Sequence, residues 1–82
     1  MVNILYFASF REMLGQADEQ MPAQHSTVGA LISELAQRGD LWKQALLENT
    51  NLQIAVNHDV ASRETAIKAG DEVAFFPPVT GG

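Results

Sequence analysis

Thr27-Val28-Gly29-Ala30-Leu31-Ile32-Ser33-Glu34-Leu35-Ala36-Gln37-Arg38-Gly39 is the stretch on which the fold turns. Val28, Leu31, Ile32, Leu35 and Ala36 recur at i, i+3, i+4, i+7 and i+8, which puts them on one apolar stripe of a helix. Thr27 is placed to cap the N-terminus. Arg38 in the last turn and Gly39 after it suit the helix polarity and its stop.

Working outward, Val2 to Ala8 is rich in β-favouring residues and predicts a first strand. Ser9 to Leu14 predicts a short helical turn stopped by Gly15. Ala17 to Met21 predicts a weak second strand, polar enough for a sheet edge, and Pro22 to Ser26 a loop. Beyond the main helix, Asp40 can cap a shorter helix holding Leu41, Trp42, Ala45 and Leu46. Leu52, Ile54 and Val56 alternate with Gln53, Ala55 and Asn57, giving a third strand with one apolar face. Asn57-His58-Asp59 is turn chemistry, Val60-Ala61 a short returning strand, Ala69-Gly70-Asp71 a further turn, and Glu72 to Phe76 the last strand. Strands segregated from one main helix indicate an α+β protein with the helix on one face of a mixed sheet. The β-grasp, with four to five strands, is the simplest arrangement that fits.

Eighty-two residues make a single domain, 1–82, here with an extended tail over 77–82. The hydrophobic fraction of 46% and charged fraction of 18% argue for a folded chain rather than a disordered one. A formal net charge of −5 disfavours nucleic acid and anionic membrane and favours a basic partner surface. There is no cysteine, so any sulfur this chain handles is not carried on a side-chain thiol. Absent a leader or an apolar span at Met1-Val2-Asn3-Ile4, the expected location is the cytoplasm.

Ile4, Leu5, Tyr6 and Phe7 put apolar groups on both faces of the first strand, and Val73, Ala74, Phe75 and Phe76 do so on the last. One helix covers one face. The second is either an interface patch around the start of the tail, or it lies under a loop or the second helix.

The tail is Pro77-Pro78-Val79-Thr80-Gly81-Gly82. Two prolines lock φ and favour an extended conformation, so the segment reaches about 20 Å at roughly 3.3–3.6 Å per residue. Gly81 and Gly82 give a slim profile and open backbone angles closed to other residues. The expected reacting atom is the Gly82 carbonyl carbon. A terminal carboxylate, with a pKa of roughly 3.3–3.7, is an anion at neutral pH and a poor electrophile. It needs a leaving group, which ATP-dependent adenylation would supply. From the residues alone this is an activatable C-terminus and no more.

Gly70-Asp71-Glu72-Val73-Ala74-Phe75-Phe76-Pro77-Pro78-Val79-Thr80-Gly81-Gly82 resembles the ending of the small, sulfur-carrying subunits of molybdopterin synthase. Tyr6-Phe7-Ala8 with Arg11-Glu12 and Gly15, Thr27-Val28, Trp42 and Ala55-Val56-Asn57 extend the resemblance over the whole chain. The resemblance implies a ubiquitin-like β-grasp. An adenylating enzyme would activate Gly82 with ATP, and a sulfur donor would convert it to a thiocarboxylate. The loaded tail would enter the large subunit of a heterotetramer and give its sulfur to a cyclic pterin monophosphate precursor. The chain itself would bind no cofactor. By family position Phe7, Val60 and Phe76 face the partner, followed by Pro77, Pro78, Val79 and Thr80 of the tail. The family often carries a larger apolar residue where Val60 stands. A thiazole-pathway sulfur carrier, a ubiquitin-like protein modifier and a docking module share parts of this pattern.

The other polar residues make no constellation. His25 and His58 lack a third ligand for a metal. Asp71-Glu72 reads as solvated turn charge, Asp18-Glu19 as edge protection, and Trp42 as a core residue. Ser9, Ser26, Ser33 and Ser62 have no base at a telling spacing. Arg11 is either a surface residue or a support for the tail or a partner carboxylate.

Overall fold

The computed structural model describes residues 1–77. Its elements run β1 (Val2–Tyr6), α1 (Ser9–Leu14), β2 (Asp18–Met21), α2 (Val28–Ala36), α3 (Asp40–Trp42), a π-helical turn (Lys43–Leu47), β3 (Gln53–Val56), β4 (Asp59–Ala61) and β5 (Glu72–Phe76). The strands lie in the order β2-β1-β5-β3-β4. β1 and β5 are parallel, and the other three pairings are antiparallel. This is the mixed sheet of a β-grasp, with polar β2 at one edge as its sequence predicts.

The helical stripe sets the core. Val28, Leu31, Ile32, Leu35 and Ala36 are all buried. They pack against Val2, Ile4, Tyr6, Ile54, Val56, Val73 and Phe75 from alternate positions of β1, β3 and β5. Each fully buried aliphatic side chain contributes roughly 1.5–3 kcal/mol relative to exposure. Thr27 Oγ1 accepts the Ala30 N–H at 3.2 Å, the predicted cap. Gly29 allows a close approach: its N–H donates to the Arg63 carbonyl at 2.7 Å, and a Cβ there would sit 3.1 Å from that oxygen. Arg63 in turn donates to the carbonyls of Leu46 and Asn49 at 2.8 Å each, which satisfies acceptors left open at the end of the π-helical turn.

The structure departs from the sequence reading at several places. β1 ends at Tyr6 rather than Ala8, because Ala8 turns the chain with φ 54 and ψ −131. α2 ends at Ala36, so Arg38 lies beyond its last turn, and it pairs with β2 instead. Asp40 caps nothing: Gly39 holds the N-cap position and no side chain closes it. The second helix is one α-turn followed by a wider π-turn in which Glu48 N–H reaches the Lys43 carbonyl at 2.9 Å. Ala45 and Leu46 point inward and Leu41 stays exposed.

Two acidic residues also do more than the sequence suggests. Asp71 is 6% exposed rather than solvated. Its carboxylate accepts Asn57 Nδ2 at 3.0 Å and the Lys68 N–H at 2.9 Å. These bonds, Asn57 first, hold the carboxyl below its ordinary pKa. Glu19 is not edge protection, since it turns toward α2 and accepts bonds from both Tyr6 and Arg38. The sequence pattern shows each charge beside a turn or an edge but not the partner that the register brings to it.

Phe10 and Leu14 of α1, and Ala45 and Leu46 of the π-turn, join the same core as α2. Trp42 meets the Tyr6 ring edge-on at 5.6 Å on that side too. The helices therefore share one face of the sheet, and among the described residues none packs on the other.

Candidate functional site

Strand pairing assembles the second face. Leu5 lies beside Ala74, Ala74 beside Ala55, and Ala55 beside Val60, a single apolar row across four strands. One step toward the C-terminal end of β5, Phe76 sits opposite Gln53. Its ring stacks on that of Phe7 with centroids 4.6 Å apart and planes at 9°. One step the other way, Asn3 pairs with Glu72. Asn57 and His58 form the β3–β4 turn, both at positive φ (52° and 73°) as a tight hairpin requires. That turn brings His58 Nε2 to 3.8 Å from Glu72 Oε1.

The result is a shallow apolar depression of about 260 Å³ whose floor is Leu5, Ala55 and Ala74. The Phe7–Phe76 pair bounds it at the tail end, and His58 with Glu72 at the other. Val60 ends the row at 95% exposure. Leu5, Phe7, Ala55 and Phe76 are half-buried and Ala74 is buried, and an apolar depression with a polar rim has the composition of a protein-docking surface. Among the described residues it presents no nucleophile paired with a base. Among the described residues no group of three or more His, Cys, Asp or Glu side chains is placed to hold a metal ion.

The face brings Phe7 and Phe76 together and sets Val60 apart, near the free edge of the sheet. Pro77 follows Phe76 directly and is half-buried. Pro78, Val79, Thr80, Gly81 and Gly82 lie outside the described residues. Of the two readings of the doubly apolar strands, a face left uncovered by the described residues is the one found. β1 and β5 are central strands, yet the second helix packs on the opposite side.

Sequence reasoning flagged Leu5 and Ala74 through the doubly apolar strands but missed Ala55 and the polar rim. Ala55 belongs to the face of β3 that looks polar in sequence, between Gln53 and Asn57, and only its register opposite Ala74 places it in the patch. His58 and Glu72 carried no signal beyond turn chemistry. Elsewhere, Arg11 is exposed, and His25 Nε2 lies 3.0 Å from Glu34 Oε1, away from this face. Trp42 is half-buried between Tyr6 and the Arg38 guanidinium, which lies 4.6 Å from its ring centroid, so it packs rather than offering a platform.

The model of the ThiS family matches residues 4–82. A Haemophilus influenzae protein named molybdopterin synthase sulfur carrier subunit is 46% identical over 82 residues, covering all of both chains. The Escherichia coli protein of the same name is 44% identical, again over the full length of both. Among solved structures, that of the Haloferax volcanii HVO 2177 protein superposes with a TM-score of 0.81 at 29% identity, covering 99% of this chain and 85% of that one. Among the described residues, no helix is long and apolar enough to cross a membrane.

Proposed function

The chain belongs to the ThiS family, and on that premise we propose that it is the sulfur-carrier subunit of a molybdopterin synthase. Full-length identity to two proteins of that name supports this reading. The observation that carries it structurally is the uncovered apolar row, which runs from Val60 to Leu5 beside the Phe7–Phe76 pair where the chain leaves the sheet.

In this proposal the domain docks and the tail reacts. The row seats against the large subunit, and the chain runs on from Phe76 into Pro77 and Pro78, each with φ restricted by its ring. The Gly82 carboxylate attacks the α-phosphorus of ATP on an adenylating enzyme, forming an acyl-adenylate and releasing pyrophosphate. A sulfide-level sulfur from a donor displaces AMP and leaves a thiocarboxylate. That sulfur attacks a carbon of a cyclic pterin monophosphate precursor and displaces an oxygen leaving group, forming a thioester; water then cleaves the acyl C–S bond, which leaves the sulfur on the pterin and regenerates the Gly82 carboxylate. Gly81 and Gly82 admit the backbone to a narrow site. The chain supplies the leaving group's anchor and the docking face, while acid–base groups come from the partners. ATP belongs to the activating enzyme, and the setting is the cytoplasm.

Intact mass spectrometry of the protein after incubation with its adenylating enzyme, ATP and a sulfur source tests this. The expected result is exchange of one oxygen for one sulfur, localised to Gly82 by fragmentation. An unchanged mass, with the enzyme active on a known carrier, would overturn it. Hydroxylamine-resistant adducts on lysines of other proteins would show a protein modifier instead, and selective binding to a thiazole synthase a thiazole-pathway carrier.

A further inference from the structure

We propose that Phe7 is a positioning residue for the activation of the tail: stacked on Phe76, it fixes the direction in which the chain leaves the sheet at Pro77. The proposal rests on the carrier reading above and adds to it a role distinct from partner contact. Phe7 is held from three sides. One residue past the end of β1, its N–H still donates to the Phe75 carbonyl at 3.1 Å. Its own carbonyl accepts the Phe10 N–H at 3.2 Å, closing a tight turn. Its ring lies flat against Phe76, within the range of offset-stacked aromatic pairs.

The residue between these constraints is strained. Ala8 has φ 54 and ψ −131, a backbone geometry open to glycine and costly for a residue with a Cβ. Such a conformation persists where the surroundings over-determine it. Here the turn lets Phe10 enter the core beneath α1 while Phe7 stays on the opposite face of the sheet. The strain is thus spent at the one junction that sets the Phe7 ring against the last residue of β5.

Phe76 passes that constraint onward. Its backbone is laddered to β3 on one side, and its ring is fixed by Phe7 on the other. The next residue is Pro77, whose φ is locked by its ring, so the orientation of Phe76 sets the direction of Pro77. A reacting group is sensitive to the direction in which its segment leaves the domain, since a misplacement of about 1 Å costs on the order of a hundredfold in rate.

Steady-state pyrophosphate release by the adenylating enzyme with ATP and a saturating sulfide-level sulfur donor to displace AMP, at varied carrier concentration, separates aiming from docking. Phe7→Leu keeps an apolar group and removes the stack. The expected result is a kcat reduced by about tenfold or more with KM for the carrier within about threefold. Phe7→Tyr keeps the aromatic face and is expected to restore kcat to within about threefold of the parent. Phe76→Leu removes the same stack from the other side and should repeat the loss in kcat, which guards against one variant failing to fold. A raised KM with unchanged kcat in Phe7→Leu would reduce Phe7 to a partner contact and overturn the proposal. So would full activity in both leucine variants, or equal loss in the tyrosine variant. A parent protein that releases no pyrophosphate at all would instead overturn the carrier reading, and this proposal with it.

Discussion

The Tyr6 hydroxyl donates to Glu19 Oε2 at 2.7 Å, joining the middle of the sheet to its edge strand beneath the end of α2. Arg38 completes the arrangement, with Nη1 and Nη2 donating to the two Glu19 oxygens at 2.8 and 2.7 Å and its guanidinium over Trp42. Burial, then the Glu19 bond, pushes the Tyr6 hydroxyl far above its ordinary pKa. Burial alone would raise the Glu19 carboxyl, but the Arg38 and Tyr6 bonds outweigh it and hold that carboxyl low.

This geometry orders two substitutions. Tyr6→Phe removes a donor and leaves Glu19 its two bonds from Arg38, so the expected loss is about 1 kcal/mol. Glu19→Ala leaves both the Tyr6 hydroxyl and the Arg38 guanidinium without their acceptor, and about 2–3 kcal/mol is expected. Urea unfolding of both variants reads the difference, and the reverse order would show that Glu19 is not the hub.

The pH dependence follows from two depressed carboxyls, Glu19 and Asp71. Each binds a proton more weakly folded than unfolded, so its contribution is complete above the ordinary values of roughly 4.3 for Glu and 3.9 for Asp. It drains away as pH falls below those values and through the lower folded ones. Denaturation midpoints between about pH 2 and 7 should fall on the acid side, with a shallower limb in Glu19→Gln and Asp71→Asn. An acid limb of unchanged slope in both variants would contradict this assignment.

Val60 is 95% exposed, so Val60→Asp should alter stability by no more than about 0.5 kcal/mol. Placed at a docking face, the same charge is desolvated. Affinity for the large subunit should fall about tenfold or more, a change of roughly 1.4 kcal/mol. Calorimetric titration checks it, and unchanged affinity would take β4 out of the interface.

Ala8→Gly relieves a backbone strain of roughly 1–3 kcal/mol and adds unfolded-chain entropy worth roughly 0.5–1 kcal/mol. The expected net is a gain of about 1 kcal/mol in thermal or chemical stability. A clear loss would mean that the turn is not strained as its angles indicate.

The sequence carried most of the fold because its signals are local and periodic. The α2 stripe, the Thr27 cap, the Gly15 stop and the edge character of β2 each rest on a few neighbouring residues, and each stands in the structure. What escaped depends on register. Asp71 and Glu19 look solvated until Asn57 and Arg38 are brought to them from other elements. Ala55 looks idle until it meets Ala74. The strain at Ala8 carries no composition cue, since alanine is the residue that sequence reasoning expects to be unremarked there.

β5 is the last strand among the described residues and the central one in the sheet. Without it, β1–β2 and β3–β4 are separate hairpins, each marginal in water. Asn3 must find Glu72 across nearly the whole described length, a distant closure that makes assembly slow and all-or-none. The apolar row does not exist until that closure is complete, because its middle residue, Ala74, arrives with β5. A partner that recognises the row therefore inspects the finished product: an unfolded or nicked chain can carry the same tail and still present nothing to grip.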